Sequence, residues 1–221
     1  MVALKKQLRD PEETKRRIMA AAKVEFAKSG LGGARVDVIA ARAKSNKRMM
    51  YHYFGNKETL FKLVLEDAYA NFREAEKALE LDHEEPITAL RKLVSFNWNY
   101  FLENPEFITL VNSENLHKAK HIKSSKRMQE MSRNFVGRMQ SLLDRGAIAG
   151  LFHKNLDAVQ MQISVAAIAY HYLTNRYTGT IVFERDLMSA KALKERLAFN
   201  IQTVLRMVCT PEILRKLENI S

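Results

Sequence analysis

The stretch Ser45–Phe61, SNKRMMYHYFGNKETLF, brings together residue types that one helix surface does not usually hold. Two cations, Lys47 and Arg48, stand directly before two methionines and four consecutive rings, and a Gly-Asn pair follows. A buried helix does not begin with two charged residues, and a solvated helix does not carry four rings in a row. The pattern therefore predicts a short helix with one face in a core and the other against a partner.

The side chains of this helix divide between two faces because successive residues are rotated by about 100°. Met50 and Phe54 are four residues apart and are predicted to face inward. Lys47 and Tyr51 are also four residues apart, and with Arg48 they are predicted to form the outer face. Such a helix fits the major groove of duplex DNA, which is about 12 Å wide and admits one α-helix.

Two helices are predicted to precede this stretch. Asp10 is a suitable N-cap for the first, and Pro11 fits its first turn. This helix is predicted to continue to about Lys28, where Ser29-Gly30 ends it. The segment VDVIAARAK, residues 36–44, predicts a second and shorter helix.

A three-residue break, Lys44-Ser45-Asn46, separates the second helix from the third. Asn46 is a competent N-cap, and the third helix is predicted over Lys47–Phe54. Gly55-Asn56 ends it before a fourth helix starts at about Lys57. A short helix, a tight turn and another short helix together form a helix-turn-helix motif.

The remainder of the chain is also predicted to be helical, because no segment alternates in the manner of a strand. Pro86 begins a helix after an acidic linker, and Asn104-Pro105 parts two further helices. Three longer helices are predicted over residues 121–150, 157–177 and 189–209. The sequence therefore predicts an all-α protein.

The net charge of the chain is +11, and its distribution is uneven. Residues 1–55 contain 13 Lys and Arg against 5 Asp and Glu, whereas the remaining residues contain 23 against 20. This concentration of positive charge predicts a polyanionic partner, either nucleic acid or an anionic membrane surface. A basic face that serves only solubility is the alternative that charge alone leaves open.

Cysteine usage and hydropathy restrict the cellular setting. Cys209 is the single cysteine, which excludes an internal disulfide and fits a reducing cytosol. Residues 1–17 lack the apolar segment of a signal peptide. No apolar run approaches the roughly 20 residues that cross a bilayer. We therefore expect a cytoplasmic protein without a membrane partner.

Three consecutive motifs resemble the DNA-binding signature of the TetR family of bacterial transcriptional repressors. They are AAAKVEFAKSG at residues 20–30, IAARA at 39–43 and MYHYFGNKETLF at 50–61. The order and the spacing of the motifs agree with the family over about Thr14–Leu65.

The resemblance implies a fold of two parts. An N-terminal three-helix DNA-binding domain with a helix-turn-helix is expected, followed by a C-terminal helical domain for ligand binding and dimerisation. In this chain the expected boundaries are 1–56 for the DNA-binding domain, 57–85 for a connecting helix and linker, and 86–221 for the C-terminal domain.

The resemblance also implies roles for individual side chains. Tyr51, His52 and Lys57 correspond to residues that contact phosphates in the family, and Lys47, Arg48 and Tyr51 occupy positions that commonly read bases. A lysine at a helix start joins its charge to free N–H groups, which favours phosphate binding. With the cap and turn residues, the predicted DNA-contacting set is Arg35, Lys44, Asn46, Lys47, Arg48, Tyr51, His52 and Lys57.

Three positions depart from the family pattern. Arg35 stands where a Ser or Thr usually caps the second helix and contacts phosphate, so its charge is expected to replace that bond. Lys44 replaces the turn glycine and is expected to adopt a left-handed conformation at some strain. Asp37 occupies a place where the family often has a base-reading cation, and it is expected to accept from a cytosine amino group or to avoid phosphate.

Polar and aromatic groups on otherwise apolar helices are candidates for the wall of a ligand pocket in the C-terminal half. The candidates are Asn97, Trp98, Phe101, Asn112, Asn115, His171 and Asn175. For each of them taken alone, the alternative is a satisfied group of the core or of an interface. The resemblance implies a small-molecule effector without identifying it.

The helices predicted over residues 157–177 and 189–209 are too apolar for a solvated surface. They form either the core of a monomer or half of a four-helix interface. The interface is favoured, because one recognition helix covers only a half-site. The resemblance likewise implies a homodimer through these last two long helices and a palindromic operator in double-stranded DNA.

The function predicted from the sequence is that of a homodimeric, nucleoid-associated repressor that an effector releases from its operator. A regulator controlled by a protein partner, or one without a small ligand, is the alternative. The charge also permits a basic protein of the membrane surface. An enzyme is disfavoured because the sequence has no P-loop, nucleophile elbow or HExxH motif, and no cofactor is expected.

His117 and His121 have the i, i+4 spacing of a metal-binding pair. No cysteine lies near them, and the segment HKAKH at residues 117–121 contains two lysines. The pair is therefore predicted to belong to a basic surface, and no metal site is expected.

Overall fold

The computed structural model describes residues 10–219, which form eleven α-helices, one short 3-10 helix and no strand beyond an isolated bridge. The prediction of an all-α protein is confirmed. The basic residues Lys5, Lys6 and Arg9, which contribute to the charge of residues 1–55, lie outside the described residues. The helices are α1 (Pro11–Gly33), α2 (Val36–Arg42), α3 (Lys47–Phe54), α4 (Lys57–Lys77), the 3-10 helix (Leu81–His83), α5 (Pro86–Glu103), α6 (Pro105–Leu116), α7 (Lys126–Ile148), α8 (Ala158–Thr174), α9 (Arg176–Val182), α10 (Ala190–Val208) and α11 (Pro211–Glu218).

Local signals in the sequence account for both ends of α1. The Asp10 carboxylate accepts a hydrogen bond from the Glu12 N–H at 2.9 Å, which confirms the predicted N-cap. Gly30 has a φ of 64° and leaves the helical conformation where the sequence predicted the end of the helix. One further turn follows Gly30 and ends at Gly33.

The bounds of α3 agree with the prediction, and its apolar side chains face inward. The Asn46 side chain caps the helix by accepting from the Met49 N–H at 2.9 Å. Met50 is 0% exposed and Phe54 is 7% exposed, so both lie in the core. Burial of these two side chains attaches α3 to the helices before it and leaves its other face to solvent.

The chain divides into two compact units. The first unit joins the residues up to Tyr69 with Glu106–Lys126, and the second joins Ala70–Pro105 with the residues from Arg127 onward. Helix α6 therefore belongs almost entirely to the unit that contains the helix-turn-helix. The domain boundaries expected at residues 56 and 86 stay a prediction.

The core of the first unit is built around α1 and α4. The rings of Phe26 and Phe61 meet edge to face, with their centroids 5.1 Å apart. Both rings are fully buried. Further buried side chains of this unit are Ile18, Ala22, Ile39, Met50, Leu60 and Leu65.

The core of the second unit is centred on α5, which packs against α8 and α10. One apolar cluster joins these helices to α7. Its most deeply buried members include Leu90, Leu143, Phe152, Val165, Val204 and Val208. Burial among these apolar groups raises the pKa of the Cys209 thiol to about 11.

Helix α7 begins at Lys126, so the prediction of a helix from residue 121 is wrong at its start. The Glu114 carboxylate accepts hydrogen bonds from the N–H groups of His121 and Ile122, at 2.8 Å and 3.2 Å. The Glu114 side chain in the last turn of α6 therefore satisfies these groups, and residues 117–124 form turns instead of a helix. Within residues 10–219, no helix is both long and apolar enough to span a bilayer.

Candidate nucleic-acid interface and cavity

Helix α3 presents most of the predicted DNA-contacting side chains to solvent. Lys47, Arg48 and His52 are exposed, and Tyr51 keeps 47% of its surface accessible although its ring is large. Neither Lys47 nor Arg48 forms an ion pair with another described residue. This face combines positive charge with hydrogen-bonding groups, as a helix that enters the major groove requires.

The turn before α3 is built on Lys44. Its φ is 49°, which confirms the expected left-handed conformation. The N–H groups of Lys44 and Ser45 donate to the carbonyl oxygens of Ala41 and Ala40, at 3.0 Å and 2.9 Å. These bonds close the end of α2, and the side chain of Lys44 stays exposed next to α3.

Arg35 and Asp37 form an ion pair at the start of α2. Nη2 of Arg35 lies 2.8 Å from Oδ2 of Asp37, and no side chain caps the helix here. The hydrogen bond from Arg35 lowers the pKa of Asp37 to about 2, and Lys47 adds a weaker attraction. The Arg35 guanidinium was predicted to contact a phosphate, and in the structure it is paired with Asp37.

Lys57 stands at the N-terminus of α4 and is half-buried. Its ammonium group donates to the carbonyl oxygens of Ala34 and Gly32, at 3.1 Å and 3.4 Å. An ammonium group has three N–H donors, so one donor is left for a phosphate. Lys57 also ties α4 to the segment before α2, a role that sequence reasoning missed.

Glu25 is a second positioning residue that sequence reasoning missed. It is 6% exposed, and its Oε1 accepts from the Arg35 N–H at 3.2 Å. The carboxylate thus meets the N-terminus of α2, where the positive end of the helix dipole favours an anion. Its place directly before Phe26, beside the apolar stripe of α1, is the sequence signal that identifies it.

The second unit contains a cavity of about 100 Å³. Gln162 lines it and is 8% exposed, and its Oε1 has no hydrogen-bond partner. A buried acceptor without a partner carries a desolvation cost, which a bound N–H or O–H group removes. The other walls include Glu76, Leu93, Phe135, Arg138, Met139 and Leu142.

Glu76 is the buried charge in the wall of this cavity. One of its carboxylate oxygens lies 2.8 Å from Arg73 and the other 3.2 Å from Arg138. The Arg73 guanidinium also covers the ring of Phe135. The wall therefore has a fixed polar region beside its apolar side chains.

Three of the predicted ligand residues lie in the core of the second unit on α5. The Asn97 amide is buried and donates to the carbonyl oxygen of Leu93 at 2.9 Å. Trp98 packs edge-on against Tyr172, and the Phe101 ring packs parallel to that of Phe72. None of the three borders the cavity at Gln162.

The other four predicted ligand residues lie at helix ends or surfaces, and they too are absent from the cavity wall. In the first unit, Asn112 is half-buried, and the exposed Asn115 donates to a carbonyl oxygen of its own helix at 2.9 Å. In the second unit, Asn175 donates to the carbonyl oxygen of His171 at 2.8 Å. A ligand role for all seven residues stays a prediction.

Two parts of the chain match models of known families. Residues 18–64 match the bacterial regulatory proteins of the tetR family, and residues 86–204 match the tetracyclin repressor-like C-terminal domain. The chain belongs to the TetR family of bacterial transcriptional regulators. The resemblance of the three motifs is confirmed, and the helix-turn-helix is that of a DNA-binding regulator.

Individual TetR-type relatives agree with this membership. The chain is 38% identical over 195 residues to the HTH-type transcriptional repressor NicS of Pseudomonas putida strain KT2440, which covers 88% of this chain and 92% of NicS. It is 59% identical over 58 residues to the HTH-type transcriptional repressor SCO4008 of Streptomyces coelicolor, which covers 26% of this chain and 30% of that protein. Both relatives are transcriptional repressors.

Solved structures share the architecture of this TetR-family chain. The transcriptional regulator SCO4942 from Streptomyces coelicolor superposes with a TM-score of 0.67 at 26% identity, over 88% of this chain and 98% of that one. The fatty acid degradation regulator FadR from Bacillus halodurans superposes with a TM-score of 0.66 at 19% identity, over 86% and 94% of the two chains. The second likeness shows the fold alone.

We expect Asp37→Asn to raise the affinity of this TetR-family chain for duplex DNA. The change removes a negative charge from the exposed face and releases Arg35 for a phosphate contact, a gain of roughly threefold to tenfold. Fluorescence anisotropy with one labelled duplex at fixed salt measures it. The exposed Asp144→Asn of α7 is the matched control and should leave affinity unchanged.

The gain from Asp37→Asn should be the same at mildly acidic and mildly basic pH. Because the folded-state pKa of Asp37 is lowered from 3.8 to about 2, the ion pair contributes its full stability above the ordinary pKa. That contribution is lost only as the pH falls through about 2. A loss of affinity in the variant would instead assign Asp37 to a base contact.

Proposed function

We propose that the chain is a homodimeric repressor, which binds a palindromic operator in double-stranded DNA and is released by a small-molecule effector. Helix α3 carries this proposal. It exposes Lys47, Arg48 and Tyr51 above the buried side chains of Met50 and Phe54. A rigid helix with this division of faces supplies base contacts without disturbing its own core.

In the proposed complex, α3 lies in the major groove. Lys47, Arg48 and Tyr51 contact base edges, and Lys57 holds a phosphate together with the free N–H groups of α4. Contacts to the sugar-phosphate backbone beside the groove come from Arg35, Lys44, Asn46 and His52. The protein acts on the nucleoid in the cytoplasm.

Helices α8 and α10 support the proposal of a homodimer. Ile163 of α8 is 57% exposed and Phe199 of α10 is 57% exposed, although both are large and apolar. The two helices pack together, with Arg196 of α10 donating to the carbonyl oxygen of Ile168 in α8. Exposed apolar groups on neighbouring helices indicate a protein interface. A second copy of the chain covers this face, and two recognition helices then read the two half-sites.

We expect Ile163→Asp to convert the dimer into a monomer. Operator affinity should then fall by at least about tenfold, since one recognition helix covers one half-site. Ile148→Asp is the matched control, because Ile148 is 88% exposed on α7. Analytical ultracentrifugation measures the mass of each variant. A dimeric Ile163→Asp protein, or a monomeric Ile148→Asp protein, would contradict the assignment of the interface.

The effector is proposed to occupy the cavity at Gln162. The unpaired buried Oε1 among apolar side chains supports this location, because a bound N–H or O–H group would satisfy it. The cavity of about 100 Å³ has to widen to admit a drug-sized molecule, since pockets for such molecules are usually roughly 300–1,000 Å³. An effector releases DNA only if it binds the released conformation more tightly than the DNA-bound one. We further propose that the protein acts by binding alone, so that it does not turn the effector over.

Selection from a random-sequence duplex library tests the proposed function. The wild-type protein should enrich an inverted repeat whose half-sites lie one helical turn, roughly 34–36 Å, or a multiple of it apart. Members of a small-molecule library should release the enriched duplex and be recovered unchanged. Absence of any enriched sequence would reject a sequence-specific regulator. Enrichment without release by any compound would favour control by a protein partner, or a regulator without a small ligand.

A further inference from the structure

The segment that runs from the end of α6 to the first residue of α7, residues 117–126, carries a basic surface. It contains Lys118, Lys120, Lys123 and Lys126 and no acidic residue. All four lysines are exposed. Lys118, Lys123 and Lys126 form no ion pair with another described residue, so their charge is open to a partner.

Buried side chains anchor this segment to α6 and α4. The Glu114 carboxylate lies 2.6 Å from the His121 ring nitrogen Nδ1 and also accepts from the His121 N–H. Glu114 is 2% exposed and His121 is 8% exposed, so the prediction that His121 lies on a basic surface is wrong. The His121 ring packs edge-on against Phe61 of α4. The exposed lysines of this segment therefore lie close in sequence to a residue that is anchored in the core.

The backbone of the segment is strained where the lysines begin. Lys118 and Ala119 have φ values of 55° and 57°, so two consecutive residues with side chains are left-handed. Each such residue costs of order 1 kcal/mol or more and persists where surrounding contacts enforce it. Strain of this kind is concentrated at functional sites, and this turn presents exposed lysines.

The same segment is attached to the start of α4, beside the predicted phosphate contact of Lys57. The ammonium group of Lys120 lies 3.2 Å from Glu58, the second residue of α4. Further along, the Ser125 hydroxyl donates to the buried Glu66 carboxylate at 2.5 Å. The segment belongs to the same compact unit as α3.

We propose that residues 117–126 form a second DNA-backbone contact surface, in which Lys118 and Lys123 bind phosphates that flank those held by α3 and by the start of α4. The inference rests on the proposed DNA-binding face. The segment contains lysines and no acidic residue, and it lies beside the first turn of α4. The negatively charged phosphate backbone of DNA is therefore the partner that its charge favours. These contacts add affinity and position the protein without reading sequence.

The double variant Lys118→Asn/Lys123→Gln tests the surface. Asn is chosen at residue 118 because it tolerates a left-handed backbone. Lys154→Asn/Lys191→Gln is the matched control, since it makes the same change of charge at two exposed lysines of the second unit. Affinity for the enriched duplex is measured between about 50 and 200 mM salt, where phosphate contacts set the slope of log K against log salt.

The double variant should lower the steepness of this slope by about 0.9 for each lost phosphate contact, or about 2 for each bound protomer. Affinity should fall by roughly tenfold or more near 150 mM salt, with the sequence preference unchanged. Lys118→Arg/Lys123→Arg should retain the wild-type slope, and equal thermal midpoints confirm folding.

A slope equal to that of the wild-type protein would overturn the proposal. An equal loss of slope in the control would also overturn it, because the effect would then come from net charge alone. If the wild-type protein enriches no duplex, the proposed function fails. The same slopes on a duplex of arbitrary sequence then still decide whether the lysines contact DNA, because phosphate contacts do not depend on sequence.

Discussion

Lys47→Ala is expected to lower operator affinity by about a hundredfold, since a good base contact contributes roughly 1–3 kcal/mol and the dimer loses two of them. Lys47 is exposed on the first turn of α3 and has no ion-pair partner among the described residues. The thermal midpoint should therefore stay the same. Tyr51→Phe removes one hydroxyl from each protomer and should cost about tenfold, at roughly 0.5–1.5 kcal/mol for each hydrogen bond.

Gel-shift titrations of both variants at one salt concentration measure these losses. Lys154→Ala in the second unit removes the same charge from an exposed position and should bind within about twofold of wild type. If Lys47→Ala and Tyr51→Phe both bind as the wild-type protein does, α3 is not the recognition helix. A fall in the thermal midpoint of either variant would show that its side chain also supports the fold.

Gly146→Ala is expected to destabilise the second unit by about 3 kcal/mol, which is large for the addition of one methyl group. A Cβ at residue 146 would stand 2.0 Å from a ring carbon of Phe152. The Phe152 ring has no room to withdraw, because it is 2% exposed within the apolar cluster. Its backbone is also held, since the Phe152 N–H donates to the carbonyl oxygen of Gly146 and its bridge pairs it with Cys209.

Thermal unfolding followed by circular dichroism tests this expectation. The midpoint should fall by roughly 6–12 °C, as a change of 1 kcal/mol shifts a chain of this size by about 2–4 °C. Gly137→Ala on the same helix is the matched control, because a Cβ there meets no atom within 4 Å. It should stabilise the protein by about 0.5–1 kcal/mol through helix propensity. Equal midpoints for the two variants would contradict the steric argument.

The helix-turn-helix could be predicted because its signals are local. Asp10 and Asn46 cap helices that follow them directly, and Lys44 adopts the left-handed conformation that its place in the turn requires. The inward direction of Met50 and Phe54 follows from their spacing on one helix. Each of these predictions depends on residues within one or two helical turns of one another.

Contacts between different segments of the chain were not predictable in the same way. Sequence reasoning missed the carboxylate of Glu25 at the start of α2 and the bonds from Lys57 to the segment before α2. It also placed the start of α7 at residue 121, because nothing in the local pattern shows that Glu114 captures the N–H groups that follow. A hydrogen bond between a side chain and the backbone of another segment leaves no periodicity in either of them.

The candidate effector site shows the same limit. Polar residues on apolar helices were predicted to line a pocket, yet Asn97 satisfies its amide on its own helix and borders no cavity at Gln162. Gln162 carries no special signal in the sequence, and it becomes a candidate only because packing buries its amide without a partner. Hydropathy identifies which side chains are buried and does not identify which buried polar groups lack a partner.

The sequence by itself determined the all-α fold, the recognition helix α3 and the division of that helix into an inward and an outward face. Helix periodicity, caps and turn residues act over a few positions, so they can be recognised from the amino-acid sequence alone. Only the tertiary structure placed α6 and the lysines of residues 117–126 in the same unit as α3, and only it opened a cavity beside Gln162. Those features depend on which distant surfaces meet, and this is decided when the apolar faces pack.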